Sequence, residues 1–146
     1  MNEKEKKKVE WLSRCVWIDA KIKQCKEQIE ELEASMDGLK VQNFDGMPKS
    51  SSGGFRSDDK IIELSEKIEK FWKKIIILKL EEIDKRDEIF DAINQVKDPR
   101  AQVLLGYRYL DGLKWEEICV KMNYTWQWVH KLHIKALKEI EIVDFN

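Results

Sequence analysis

The chain has 146 residues, 38% of them charged, with 27 basic and 28 acidic side chains and a formal net charge of −1. That length holds one domain, or one small domain with an extended element, and a chain rich in Glu, Lys, Ile and Leu with only two prolines and six glycines favours long helices over sheets. Ile75–Leu78, the longest apolar run, is far too short for a membrane span, MNEKEKKKVEW is no apolar leader, and cysteines at 15, 25 and 119 lack CxxC spacing. A soluble, cytoplasmic protein with reduced cysteines is expected, with no membrane partner.

From about residue 4 to 41, Trp11, Cys15, Ile18, Ile22, Cys25, Ile29, Leu32, Met36 and Leu39 follow one another by steps of four and three. This heptad period puts all nine on one stripe of a helix, with Lys, Glu and Gln between them. So narrow a stripe needs a partner helix to bury it. Residues 43–59 break the pattern with Gly46, Pro48, Gly53, Gly54 and Ser50–Ser52, and read as a flexible loop. A second helix is predicted from about Asp59 to Val96, with Asp58 or Asp59 as N-cap. Its stripe runs through Ile61, Leu64, Ile68, Phe71, Ile75 and Leu78, then is expected to shift sideways through Leu80 and Ile83 to Ile89, Phe90, Ile93 and Val96. Two helices of similar length, each ~55 Å at ~1.5 Å per residue, predict an antiparallel coiled-coil hairpin. Ile76 and Ile77, extra to a two-helix seam, point to a homo-oligomer.

Asp98-Pro99 is a helix start: the carboxylate accepts from first-turn amides and Pro suits the first helical position. The helix is predicted to run from Arg100 to about Leu110, with Val103, Leu104, Tyr107 and Leu110 inward, and to end at Asp111-Gly112. A short helix from Trp115 to Met122 buries Trp115, Ile118, Cys119 and Met122. Asn123-Tyr124 turns the chain, Asn tolerating the left-handed conformation, and Thr125 caps a last helix from Trp126 to about Ile142. Val129, Leu132, Ala136, Leu137 and Ile140 face inward on it. Two short helices about a three-residue turn form a helix-turn-helix pattern.

The fold class is therefore all-α: a helical coiled-coil hairpin over 1–97, then a small helix-turn-helix domain over 98–146. No acidic residue falls between Ile118 and Lys138, while Lys121, His130, Lys131, His133, Lys135 and Lys138 do. Such a strip meets phosphates and releases counterions. Gln127, His130, Lys131 and Lys138 lie on or near the side of the last helix away from its apolar residues. His130 is expected to face phosphate and His133 to be packed, as is Trp128. Cys119, His130 and His133 lack a fourth ligand, so no metal is expected. No nucleophile–base pair or Gly-rich phosphate loop is present, so neither catalysis nor a cofactor is expected.

Trp115-Glu116-Glu117-Ile118-Cys119, Asn123-Tyr124-Thr125, Val129 and Ala136-Leu137, with the preceding Tyr107–Gly112, resemble conserved region four of sigma factors. The whole layout, including Met47-Pro48-Lys49-Ser50 and Arg108–Ile118, is similar to small proteins of phages of Gram-positive bacteria, among them ArpU-like and RinA-like regulators of late genes and relatives with no assigned function. The resemblance implies DNA contacts by Thr125, Trp126, Gln127, His130, Lys131 and Lys138, double-stranded promoter DNA as partner, and a bacterial host cytoplasm. No segment resembles the promoter-melting region, so a complete sigma factor is not expected. The expected function is a phage or prophage transcriptional regulator whose coiled coil mediates oligomerisation or contact with RNA polymerase. The alternatives are the small subunit of a packaging terminase, or an adaptor whose helix-turn-helix binds protein.

Overall fold

The computed structural model describes residues 1–44 and 57–142. Among these the protein is all-helical, with no strand. The elements are α1 (Glu3–Leu12), α2 (Arg14–Phe44), α3 (Ser57–Ile93), α4 (Pro99–Leu105), a π-helical turn (Gly106–Leu110), α5 (Trp115–Met122) and α6 (Trp126–Glu139). Most of the connection expected at 43–59 lies outside the described residues.

The first helix of the sequence reading is two. The Asn2 side chain accepts from the Glu5 amide at 2.9 Å and the Glu5 carboxylate accepts from the Asn2 amide at 3.2 Å, a reciprocal cap that starts α1 and accounts for a buried glutamate. At Ser13 the hydroxyl donates to the Val9 carbonyl at 2.6 Å, and the helix is interrupted for one residue before α2 begins. A serine returning its hydroxyl to the preceding turn bends helices in this way. At the start of α3, Asp58 and Asp59 lie in the first turn rather than at the cap, where their charge still favours the helix dipole.

The chain forms two compact units, residues 20–79 and residues 1–19 with 80–146. In the first, Ile22, Cys25 and Ile29 of α2 and Leu64, Ile75 and Leu78 of α3 are buried. Leu32, Met36, Leu39, Ile61, Ile68 and Phe71 flank them half-buried, and Ser65 Oγ lies 3.9 Å from Met36 Sδ. The three-four spacing thus buries the residues it marks.

Beyond Leu78 the seam does not shift. It keeps its spacing through Glu82 to Ile89, Ala92 and Ile93, all buried, while Leu80, Ile83 and Phe90 are exposed. The α1–α2 stripe keeps its period through Trp11, Cys15 and Ile18, so α3 must too. A charged residue in the seam, not a change of face, broke the apolar pattern. The Glu82 and Asp19 carboxylates and Cys15 Sγ lie within 4.8 Å of one another. Two acids so close repel, and a buried charge loses solvation.

In the second unit, one core joins α1, the end of α3 and all the later helices: Leu12 and Cys15; Ile89, Ile93 and Val96; Leu104, Leu105 and Tyr109; Ile118; Val129, Ala136, Leu137 and Ile140. Residues 1–19 and 80–97, which the sequence reading places with the long helices, thus share the core of the C-terminal ones. Lys8 Nζ donates to the Leu137 carbonyl at 2.8 Å, closing the C-terminal end of α6 with a cation. The Gln95 amide group spans to the chain after α6, donating to the Glu141 carbonyl at 3.2 Å and accepting from its N–H at 2.9 Å.

The π turn is unexpected from the sequence. The α4 face is Ala101, Leu104 and Leu105, whose next α-helical position would be Arg108. With Asp111 N–H bonded five residues back to Gly106 at 3.0 Å, the extra residue brings Tyr109 inward instead. Val103, expected inside, is exposed, and Tyr107 and Leu110 are half-buried. Both Arg86 Nη atoms donate to the Leu110 carbonyl, at 3.1 and 3.2 Å, satisfying the end of the turn.

Candidate nucleic-acid interface

Helices α5 and α6 are joined as their sequence dictates. Asn123 takes the left-handed conformation (φ 56°, ψ 46°). Its N–H bonds to Val120 and that of Tyr124 to Cys119, the paired closure that ends a helix at a left-handed residue. Thr125 then caps α6, Oγ1 accepting from the Trp128 amide at 3.3 Å. Lys114 starts α5 with no side-chain cap.

The six predicted site residues divide into two groups. Gln127, Lys131 and Lys138 are exposed at steps of four and seven, which places them on one face of α6, opposite buried Val129, Leu132, Ala136 and Ile140. Lys135, four after Lys131 and also exposed, extends the strip. Thr125 and Trp126 stand at its head, both exposed. His130 belongs elsewhere. Its ring lies between Trp126, at 3.7 Å between centroids, and Trp115, at 4.7 Å. Its Nε2 is buried with no hydrogen-bond partner. Burial, then the nearby Arg108 charge, lowers its pKa, so the ring is neutral at pH 7. His130 therefore packs at the head of α6 against Trp126, the two rings tilted at 49°.

The structure adds residues that spacing left out. Arg100, at the start of α4, lies over the Trp128 ring at 5.3 Å, and Trp128 stacks on Tyr124 at 3.9 Å. Arg100 also pairs with Asp98, whose carboxyl its hydrogen bonds hold below the usual range. Arg108 lies over the Trp115 ring at 4.6 Å and donates to the Leu113 carbonyl at 3.0 Å. No periodicity announces either position, since each depends on a ring from another helix. Beneath the face, His133 Nε2 and the Tyr109 hydroxyl meet at 2.6 Å, both buried. On α5, Glu116 and Glu117 are exposed in the first turn, and Val120 is the most exposed large apolar side chain among the described residues.

The fold and this surface define an all-helical protein with a lysine-bearing C-terminal helix. The chain belongs to the family described as "Protein of unknown function (DUF1492)", which matches residues 49–141. That span takes in α3 to α6 and leaves out α1 and α2. No curated protein and no solved structure matches the chain. Among the described residues, no helix is long and apolar enough to cross a membrane.

Proposed function

We propose that this protein is a phage or prophage transcriptional regulator that binds double-stranded DNA through α5 and α6, used as a helix-turn-helix resembling region four of sigma factors. In this reading α2 and α3 form an antiparallel coiled-coil hairpin that serves oligomerisation or contact with RNA polymerase. The observation that carries the reading is the α6 face: Gln127, Lys131 and Lys138 exposed together after a capped turn, in a stretch without acidic residues from Ile118 to Lys138. A helix so presented fits the major groove, where Gln pairs with adenine and Lys with guanine or phosphate. Thr125 and Trp126 would approach the backbone at the head of the helix.

The test is a fluorescence-anisotropy titration of a duplex across a salt series. Wild-type affinity is expected to fall linearly on log-log axes. Lys131→Ala is expected to weaken binding and to reduce that slope by about one, the loss of a single phosphate contact. Binding indifferent to salt, or a Lys131→Ala variant matching wild type on both measures, would sink the proposal. A second reading, an adaptor that binds protein through the same helices, is favoured by exposed Glu116, Glu117 and Val120 on α5. It predicts no DNA binding at any salt concentration.

A further inference from the structure

The head of α6 is aromatic, whereas its exposed side further along carries Lys131, Lys135 and Lys138. Trp126, the first residue of the helix, is 57% exposed. Its ring centroid lies 3.7 Å from that of His130, four residues on, where one helical turn sets side chains one above the other. The His130 ring lies 4.7 Å from that of Trp115 on α5, and the Arg108 guanidinium lies 4.6 Å over Trp115 in turn. The buried Nε2 of His130 has no hydrogen-bond partner among the described residues, so what the imidazole contributes here is its ring. The indole thus stands out from the surface against a packed aromatic support. A side chain held in place this way loses little rotamer freedom when it makes a contact.

DNA offers such a ring few apolar groups. The base edges that line the major groove present donors and acceptors, and thymine alone adds a methyl group, at C5. We infer that Trp126 is a specificity-determining residue that packs on the C5-methyl group of a thymine, so that the protein favours duplexes with a T·A pair under the head of α6. The first residues of the second helix are those that reach base edges in helix-turn-helix complexes. Trp126 is residue one of that helix, directly before Gln127. A lysine at this position would meet phosphate whatever the sequence, and the indole has no charge with which to do so. This assignment rests on the DNA reading above and adds to it the identity of one base pair.

The experiment begins with wild type selecting duplexes from a random pool at low salt. The enriched duplex is then resynthesised with deoxyuridine replacing thymidine at one position at a time, which removes a methyl group and keeps the pairing. At one position the wild-type dissociation constant is expected to rise about fourfold, the worth of one buried methyl group. Trp126→Ala is expected to bind the thymidine duplex more weakly and to be indifferent to deoxyuridine at that position. Its circular dichroism is expected to match wild type, because the side chain removed is exposed. Its salt dependence is expected to keep the wild-type slope, because no phosphate contact is lost. Salt-dependent binding with no sequence enriched overturns the thymine contact and leaves the DNA reading standing. So does a deoxyuridine effect that Trp126→Ala shares at every position, or a slope that Trp126→Ala reduces by about one, which would place the residue on phosphate. A wild type that binds no duplex overturns both.

Discussion

A fragment of residues 98–146 is expected to be unfolded, although the sequence marks that span as a domain with its own caps and turns. Its core is completed from outside: Leu12 and Cys15, at the α1–α2 junction, and Ile89, Ile93 and Val96 are buried among the side chains of α4, α5 and α6. Each large apolar side chain left exposed forfeits about 1.5–3 kcal/mol, against a total stability of only about 5–15 kcal/mol for a typical domain. A span this short also buries too small a fraction of its surface to absorb the loss. Polar ties go with the apolar ones, among them Lys8 on the Leu137 carbonyl, Gln95 on Glu141 and Arg86 on the Leu110 carbonyl. The full chain with Leu12→Ala tests the same dependence more gently. Leu12 is fully buried, and its truncation is expected to cost about 3 kcal/mol, read as a lower midpoint in urea. A fragment melting cooperatively, with the circular dichroism its three helices require, would show that residues 1–19 and 80–97 are dispensable.

Lowering the pH from neutral toward 4 is expected to destabilise the second unit through His133. This imidazole is buried beneath α6, with its Nε2 on the Tyr109 hydroxyl and its ring 4.8 Å from that of Trp115. Burial, followed by the influence of His130 and Arg108, pushes its pKa down to about 4, whereas an unfolded histidine titrates near 6.5. Between those values the unfolded chain takes up a proton that the native state refuses. Stability is therefore full above about pH 6.5 and falls through the window below it, by roughly 3 kcal/mol at its foot. Burial pushes the Tyr109 phenol up, so it remains protonated throughout. Urea midpoints of wild type and His133→Phe measured from pH 7 to 4.5 isolate the effect, because the carboxylates titrate in both. The wild-type curve is expected to fall more steeply. Parallel curves would show that His133 accepts its proton in the native state.

The legible parts of this fold are those that local physics dictates. Heptad spacing marks Ile22, Cys25, Ile29, Leu64, Ile75 and Leu78 because only that period keeps a helix against a neighbour. Asn123 and Thr125 mark the junction of α5 and α6 because a left-handed turn and a capped amide have few residue solutions. Glu82 misleads because burial of a carboxylate depends on the opposing helix, and a pattern of apolar letters skips over it. The π turn hides for a similar reason: Gly106–Leu110 has no composition that demands it, and only Tyr109's place over His133 selects it. The surface shows the same division. Gln127, Lys131 and Lys138 are readable as one helical face, whereas the aromatic surroundings of His130 depend on Trp115 from another helix.

The second unit is discontinuous in sequence, and this orders its assembly. Residues 1–19 are made well before their packing partners on α4, α5 and α6. Between them lie the 60 residues of the other unit, 20–79, in which α2 and α3 follow one another along the chain. Were those residues an open coil, α1 would have to find its site by closing a long loop, at an entropic cost that rises with loop length. Paired beforehand, α2 and α3 bring residues 19 and 80 together and shorten that search. The long helices are then a template: a part that forms early from near neighbours and lets the second unit's core close from its two separate stretches.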